Sequence, residues 1–259
     1  MRKNKLDMQK HCNGTWCQYR NWTLLRVQYM HKTNSPVPQG RITYVILPDG
    51  SADIWIRSNE VELPETEEGP VGYEADEVYC KISSAEIAPE SEIEADVDFW
   101  FENLKDLEEG ANADFLAKEN YRSVVRSAIS AACEHTIYEG VDVELSTGVE
   151  HFSLTSTDQT NLFGKQAELS AGAEKCAYHR DADETGTKPC VYYPAADMQK
   201  IIATAMAFVT YNTTYCNSMF VWLDNLTKAS EMAALFYGAD IPEEYQSEVL
   251  SDYLSQIGA

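Results

Sequence analysis

Two cysteines and a histidine in the second half of the chain have a spacing that could bind a metal. Cys176 and His179 form a C-x2-H pair, and Cys190 follows across a polar turn. If these segments pair as a hairpin, three ligands that suit zinc meet at its base. Structural zinc needs four ligands, and no fourth is evident. Ordinary packing or a cross-strand cysteine pair is therefore favoured, with zinc as the alternative.

The cysteine content as a whole is typical of reduced thiols. The chain has 7 cysteines, an odd number that lacks the dense framework of a small secreted protein. Cys133 and Cys216 fall among apolar residues at helical spacing, so we expect them to act as small core side chains. His11, Cys12 and Cys17 form an even weaker metal-type cluster.

Residues that could act as acids or bases are present, but no catalytic arrangement is evident. Asp96 and Asp98 lie in an acidic segment where paired carboxylates occur by chance, and a general acid and base need contrasting surroundings. A structural role is favoured for His151 because the sequence assigns it no nucleophile. No Gly-rich phosphate loop, HExxH or GxSxG motif occurs. We therefore predict that the protein is not an enzyme, with no catalytic, cofactor-binding or metal-binding residues.

The first half of the chain is predicted to form a small antiparallel sheet. Segments 41–47 and 52–57 are rich in β-branched and aromatic residues, and they flank Pro48–Ser51, which has the turn chemistry of a β-hairpin. Other predicted elements are strands at 16–30 and 77–82, a turn at 35–40 and an acidic loop at 63–72.

Two helices are predicted in the middle of the chain. Ser91 and Glu94 have the spacing of a capping box, and the apolar residues after them predict an amphipathic helix over 91–107. A second apolar face predicts a helix over 115–137, with Gly140 as its C-terminal cap. Packing of this second helix within its own domain is favoured over a bundle with copies of itself.

The second half alternates short hairpins with helices. Strands at 141–145 and 149–154 surround a three-residue loop, 146–148, with glycine where φ must be positive. Thr155 and Asp158 form a capping box that predicts a helix start. Further predicted elements are a hairpin of 177–179 with 190–193, a long helix from Pro194 bent near 212–214, a turn capped by Ser230 and a short helix within 242–256.

These elements predict an α+β protein: a small antiparallel β-rich N-terminal unit, then a mainly α-helical C-terminal domain with two short β-hairpins. The predicted divisions are a basic arm at 1–32 that leads into the first strand, a β-rich unit with an acidic amphipathic helix at 33–110, and a mainly helical domain at 111–259.

Several short blocks in the second half have a specific order and spacing: His151–Leu154, Asp158–Leu162, Tyr178–His179, Tyr193–Met198 and Thr214–Asn217. Together with Ala132–Glu134 and Ile137–Val143, they resemble an uncharacterised domain found in tail and tail-fibre genes of bacteriophages and prophages, over about residues 125–240. The resemblance implies a setting in a phage tail and a homo-oligomer, with a trimer as the expected state. That family has no established chemistry, so no catalytic residue is carried over.

Charge is the strongest feature of the composition. The chain has 42 acidic and 20 basic residues, a net charge of −22, which disfavours direct contact with nucleic acid. The distribution is uneven, because residues 1–32 carry seven Lys or Arg and only one acid, Asp7. One hypothesis is that this arm docks on an acidic neighbour or another copy of the chain. A solvated tail is equally favoured.

Hydrophobic patterning argues against a membrane protein. No apolar run approaches about 18 residues, and the basic start is not followed by the apolar core of a secretory signal. We therefore expect no membrane span and assembly in the cytoplasm of the producing cell.

These observations predict a structural or adaptor component of the virion, at the tail tip, baseplate or fibre attachment, that contacts other tail or baseplate proteins. One alternative is a receptor- or glycan-binding module for host attachment, which would use the polar hairpin tip or the aromatic residues Trp16, Trp22 and Trp55. Another is a tail-fibre assembly factor that does not enter the virion.

The core of the C-terminal domain is predicted from its apolar positions. Phe152, Leu162, Ile202, Phe208 and Trp222 are expected to pack against one another. The competing hypothesis makes Trp222, with its neighbours Tyr211 and Tyr215, a platform on which sugars stack.

Overall fold

The structure is a computed structural model, and it describes residues 30–65, 72–84, 87–181 and 186–257. Helix makes up 47% and strand 25%, with an N-terminal antiparallel sheet before a mainly helical region with short hairpins, which confirms the α+β prediction. Most of the predicted basic arm, the predicted strand at 16–30, and the candidate residues His11, Cys12, Trp16, Cys17 and Trp22 lie outside the described residues.

The chain folds into two compact units, each built from two segments. One unit runs to Ala128 and includes Leu223–Phe236, and the other contains Ile129–Trp222 and the residues from Tyr237 onward. The domain bounds proposed from the sequence stay a prediction, because compactness alone does not test independent folding. Among the described residues, no helix combines the length and the apolar character that crossing a membrane requires.

The first unit contains an antiparallel sheet in the order β1-β4-β3-β2. The predicted hairpin is confirmed, with Ile42 opposite Ile56 and Ile46 opposite Ala52. The strands are β1 (His31–Ser35), β2 (Ile42–Ile46), β3 (Ala52–Leu63) and β4 (Gly72–Ile82).

Strand β4 begins five residues earlier than the predicted start at 77. Its first part carries Glu74 and Asp76, and acidic residues have low strand propensity. Both carboxylates pair with Lys32 on the neighbouring strand β1, at 3.2 and 3.0 Å from Nζ. The cross-strand charge pairs therefore offset a local preference that the sequence prediction followed.

Alternate residues of the sheet form the core of the first unit. Ile54 and Ile56 are fully buried, and this core also contains Trp100, Phe101 and Leu104 of one helix. The helical segment is broken in two, as α1 (Glu90–Ala95) and α2 (Val97–Leu104).

The single helix predicted over 91–107 is therefore wrong in one respect, because Asp96 lies between the two helices with φ −140°. Its carboxylate instead accepts a hydrogen bond from the Ser230 N–H at 2.9 Å. The predicted capping box of Ser91 and Glu94 is also wrong. The helix begins after Pro89, which has no side-chain cap.

The long helix α3 (Lys118–Glu139) follows a short 3-10 turn at Asp114–Leu116. The helix begins three residues after the predicted start at 115 and ends just before the predicted cap, Gly140, which has φ +95°. A Cβ at this position would lie 2.0 Å from the carbonyl oxygen of Phe152. Glycine is required here both for the backbone conformation and for the close approach of the Phe152 backbone.

Two short hairpins of the second unit pair as predicted, β5 (Val141–Leu145) with β6 (Gly148–Phe152) and β7 (Lys175–His179) with β8 (Cys190–Pro194). The first loop is one residue shorter than predicted, because Gly148 pairs with Leu145 and leaves only Ser146 and Thr147 in the turn.

The other helices are α4 (Ser156–Ser170), α5 (Ala195–Asn225), α6 (Ala229–Ala233) and α7 (Glu248–Ile257). Helix α5 runs without interruption through the predicted bend, and the side chain of Asn212 donates to the Phe208 carbonyl at 2.9 Å. The prediction that Ser230 caps this helix is wrong, because α6 begins after Lys228.

Three of the five predicted core residues of the second unit are buried. Phe152, Leu162 and Ile202 are at most 3% exposed, whereas Phe208 and Trp222 are only half-buried. The prediction is wrong for Phe208 and Trp222 because an apolar helix position does not reveal how closely another element covers it.

Aromatic residues of α5 pack instead against the C-terminal part of the chain. The Trp222 ring stacks on Tyr245 with centroids 6.2 Å apart, and Tyr215 meets Tyr237 edge to face at 5.1 Å. Tyr215 is only 9% exposed, and its hydroxyl donates to the Ala239 carbonyl. The sugar-platform hypothesis needs these same rings to be available to a ligand. Packing within the protein is therefore the simpler explanation for their presence.

Candidate functional site

A group of polar side chains in the second unit brings together three of its elements. We name it the Asp158 cluster, and it consists of Ser153, Thr155, Asp158, His179 and Lys188. Ser153 follows strand β6, Thr155 and Asp158 begin helix α4, and His179 and Lys188 belong to the β7–β8 hairpin. Of the predicted polar tip, Arg180 to Lys188, residues 182–185 lie outside the described residues.

The centre of the cluster is the capping box predicted from the sequence. The Thr155 hydroxyl accepts the Asp158 N–H at 3.3 Å, and Asp158 Oδ2 accepts the Thr155 N–H at 3.1 Å. Asp158 Oδ2 also accepts from the hydroxyls of Thr155 at 2.7 Å and Ser153 at 3.2 Å. These bonds satisfy backbone donors that a helix start would otherwise leave unpaired.

His179 joins the hairpin to this helix start. Its Nε2 lies 3.1 Å from Asp158 Oδ1, and its Nδ1 lies 3.2 Å from the Arg180 carbonyl oxygen. The ring stacks on Tyr178 at 4.4 Å between centroids. Both ring nitrogens are therefore occupied, so His179 has no free nitrogen with which to activate a hydroxyl.

Lys188 approaches the cluster from the segment just before strand β8. Its Nζ donates to Ser153 Oγ at 2.9 Å and lies 4.0 Å from Asp158 Oδ2. The Lys188 side chain is 40% exposed. The Ser153 hydroxyl therefore bridges the amino group of Lys188 and the carboxylate of Asp158.

The ionisation of Asp158 fits this description. Burial raises the pKa of this carboxyl, but the Thr155 hydroxyl and N–H and the charges of Lys188 and His179 lower it by more, so its pKa is lower than usual. The carboxylate stays charged at neutral pH and only accepts hydrogen bonds. It is a structural anion and not a proton donor.

Glu150 makes a second set of polar contacts with the same hairpin. Glu150 of β6 accepts from the Tyr193 hydroxyl at 2.7 Å and from Arg180 Nη2 at 3.2 Å. Burial and the contact with Glu150 raise the pKa of Tyr193 to about 12, so the phenol remains a donor. The β7–β8 hairpin is thus fixed at both of its strands.

A similar carboxylate contact fixes the β5–β6 hairpin. Asp197, in the first turn of α5, accepts from the Ser146 N–H at 3.0 Å and from its hydroxyl at 2.5 Å. The same hydrogen bonds lower the pKa of the Asp197 carboxyl. The polar residues in this part of the chain therefore connect turns to helix starts.

The structure separates Cys176 from the other two residues that could have formed a zinc site. Cys176 lies opposite Tyr193 and is 1% exposed, whereas Cys190 lies opposite His179 and is exposed. A cross-strand cysteine pair, one of the two favoured interpretations, is therefore wrong, and neither Cys176 nor Cys190 forms a disulfide. Among the described residues, no group of three or more His, Cys, Asp and Glu is placed to hold a metal ion.

The other candidate residues have structural partners. His151 Nδ1 lies 2.7 Å from Asp142 Oδ1, and Nε2 lies 2.7 Å from the Glu139 carbonyl oxygen. Burial lowers the pKa of His151, but these two contacts outweigh it and the pKa is raised. The carboxylate of Asp98 contacts Arg41 at 2.5 Å and so does not form a catalytic pair with Asp96.

Three important residues of this site were missed from the sequence. Ser153, Glu150 and Lys188 have common polar side chains, and their partners are distant along the chain, up to 43 residues away. Only the alternation of β6 contained a signal, since it places Glu150 on the same face as the buried Phe152. Comparisons with protein-family models, with curated proteins and with solved structures found no match to this chain.

Proposed function

We propose that the protein is a structural or adaptor component of a bacteriophage tail, at the tail tip, baseplate or fibre attachment. It acts through contacts with other tail or baseplate proteins and belongs in the virion. The setting comes from the resemblance of the blocks between 125 and 240 to tail-gene domains. A net charge of −22 also favours protein partners over nucleic acid.

One observation carries the proposal: the polar residues of those blocks hold elements together. The side chains of Asp158 and His179 hold the β7–β8 hairpin against helix α4. Asp197 holds the turn of the β5–β6 hairpin. Such residues are typical of a scaffold that presents a surface and not of a reaction centre. We expect the segment 180–188 to contact the partner, because its sequence is polar and it joins two strands.

Removal of the gene from a phage that encodes the chain tests the assembly role. We expect non-infectious particles that lack a tail tip, baseplate or fibres in electron micrographs, and rescue by the wild-type chain. Normal, infectious particles without the gene would contradict the proposal. A fibre-assembly factor outside the virion would give the same defect, so the composition of the particles must be measured as well.

A glycan- or receptor-binding module is a second candidate because of one aromatic pair on the sheet. The half-buried Trp55 stacks on Tyr79 at 5.1 Å between centroids, and the Tyr79 hydroxyl donates to Asp53 at 2.8 Å. An aromatic face beside a carboxylate can bind a sugar ring and its hydroxyls. Trp55→Ala should then abolish binding to host cells, whereas the adaptor role predicts no cell binding by the wild-type chain.

A further inference from the structure

The strand β2 (Ile42–Ile46) forms one edge of the sheet in the first unit. The Arg57 N–H donates to the Arg41 carbonyl at 2.8 Å, and the Leu47 N–H donates to the Ser51 carbonyl at 2.7 Å. Hydrogen bonding alternates along an antiparallel pair, so the backbone groups of Ile42, Tyr44 and Ile46 point away from β3. Within the ranges that the structure describes, no strand pairs with this outer edge.

The two edges of the sheet differ in how they are protected. Strand β1 has the sequence HKTNS, with a lysine and no apolar residue, and such residues discourage pairing with another chain. Strand β2 has the sequence ITYVI, with no charge, proline or bulge. Val45 and Ile46 are 42% and 67% exposed. An apolar, unprotected edge is the kind that pairs with a further strand.

We infer that two copies of this protein associate by antiparallel pairing of their β2 edges about a two-fold axis at Tyr44. Ile42 of each copy then lies opposite Ile46 of the other, and Thr43 lies opposite Val45. The outward backbone groups pair with each other, and the two sheets become one continuous sheet.

A second copy suits this edge better than an unrelated peptide, because β2 is complementary to itself. Its sequence places branched residues on both sides of the central Tyr44, so reversal of the strand preserves the apolar pattern. Arg41 precedes the strand and Asp49 follows it. Antiparallel pairing therefore brings the basic end of one strand towards the acidic end of the other.

The charge of the whole chain agrees with this choice of surface. Two copies with a net charge of −22 each repel one another, and a strand without acidic residues adds no charge of its own to that repulsion. Residues 42–48 are uncharged. Two-fold pairing closes at two copies, so the edge predicts a dimer in place of the trimer implied by the resemblance. The inference of a dimer does not depend on a role in phage tails.

Analytical ultracentrifugation of the full chain tests the inference with a matched control. We expect a dimer for the wild type at micromolar concentration, and at least tenfold weaker association for Ile46→Lys. The control is Val149→Lys in the second unit, since Val149 is 68% exposed and Ile46 is 67% exposed. The control should associate like the wild type.

A proline variant tests the backbone contribution separately from charge. The N–H of Ile46 points outward, so Ile46→Pro removes a donor from the dimer without removing one from the β2–β3 ladder. Ile46→Pro should weaken association at least tenfold. Its melting temperature should be close to that of Ile46→Lys. A monomeric wild type, a trimer, or equal loss in Ile46→Lys and Val149→Lys would overturn the inference.

Disulfide trapping tests the register. The variant Thr43→Cys/Val45→Cys should form a covalent dimer under mild oxidation, with the thiol at position 43 of one copy linked to the thiol at position 45 of the other. The reason is that facing residues approach to about 4.5 Å at non-hydrogen-bonded positions. Each single variant should cross-link at least tenfold more slowly. Equal rates for the single and double variants would contradict the register and the two-fold axis.

Discussion

The imidazole of His179 lies 3.1 Å from the carboxylate of Asp158, 21 residues earlier in the chain. The contact joins strand β7 to the first turn of helix α4, and the Asp158 side chain is only 6% exposed. The same carboxylate also accepts the Thr155 N–H at the helix start and lies near Lys188, so one buried side chain joins the helix start to both sides of the hairpin.

Removal of the Asp158 carboxylate should therefore destabilise the second unit. Asp158→Ala loses a helix cap and charge-assisted hydrogen bonds, and we expect the free energy of unfolding to fall by about 2 to 3 kcal/mol. Urea denaturation followed by circular dichroism measures the change. Asp142→Ala removes a carboxylate that is 71% exposed and should cost much less; equal losses would contradict the central role of Asp158.

Stability should depend on pH through His151, whose pKa is raised in the folded state. A raised pKa contributes stability that is fully present below the unfolded value of about 6.5 and is lost as the pH rises through the folded value. Asp142→Asn removes the charged partner, so the difference in melting temperature from the wild type should shrink between about pH 5.5 and 8.5. The exposed Glu134→Gln is the control. A constant difference for Asp142→Asn would argue against the pair.

Glycine substitutions separate a required glycine from a tolerant one. Gly140→Ala should lower the free energy of unfolding by at least about 2 kcal/mol, because its Cβ would meet the Phe152 carbonyl at 2.0 Å. Gly164→Ala, in the exposed interior of α4 with open space around it, should instead raise the free energy by about 0.5 to 1 kcal/mol. Similar effects of the two changes would show that the close approach is not present.

The stacking of Trp222 on Tyr245 gives a test of the aromatic packing. Trp222 is half-buried, so Trp222→Ala should cost less than the about 3 to 5 kcal/mol of a fully buried tryptophan. Tyr245→Ala and the double variant complete a cycle, in which we expect a coupling of about 0.5 to 1.5 kcal/mol. No coupling, together with loss of sugar binding in Trp222→Ala, would favour the sugar platform.

The parts of the fold that were predictable depend on contacts between near neighbours. The capping box of Thr155 and Asp158 spans three residues, and the hairpin turn at Pro48–Ser51 is set by its own residues, so both followed from local rules. The contact of Asp158 with His179 did not, because it depends on how a hairpin folds back on a helix start.

The errors have the same physical origin. Asp96 interrupts a helical pattern because its carboxylate accepts from the Ser230 N–H, 134 residues later. Glu74 and Asp76 join a strand because Lys32 lies beside them. In both cases a distant partner outweighs the local preference. The half-buried state of Trp222 likewise depends on Tyr245, which the apolar pattern of α5 does not include.

Quantitative mass spectrometry of gradient-purified phage particles tests the central claim most directly. Particles from a host that produces the wild-type chain should contain its peptides in a fixed ratio to other tail proteins. A variant with a neutral hairpin tip, Asp181→Asn/Asp183→Asn/Glu184→Gln, should keep the wild-type melting temperature and enter particles at least tenfold less. Absence of the wild-type chain from purified particles would contradict a structural role in the virion, and undiminished incorporation of the variant would exclude the tip's acidic charges as the contact.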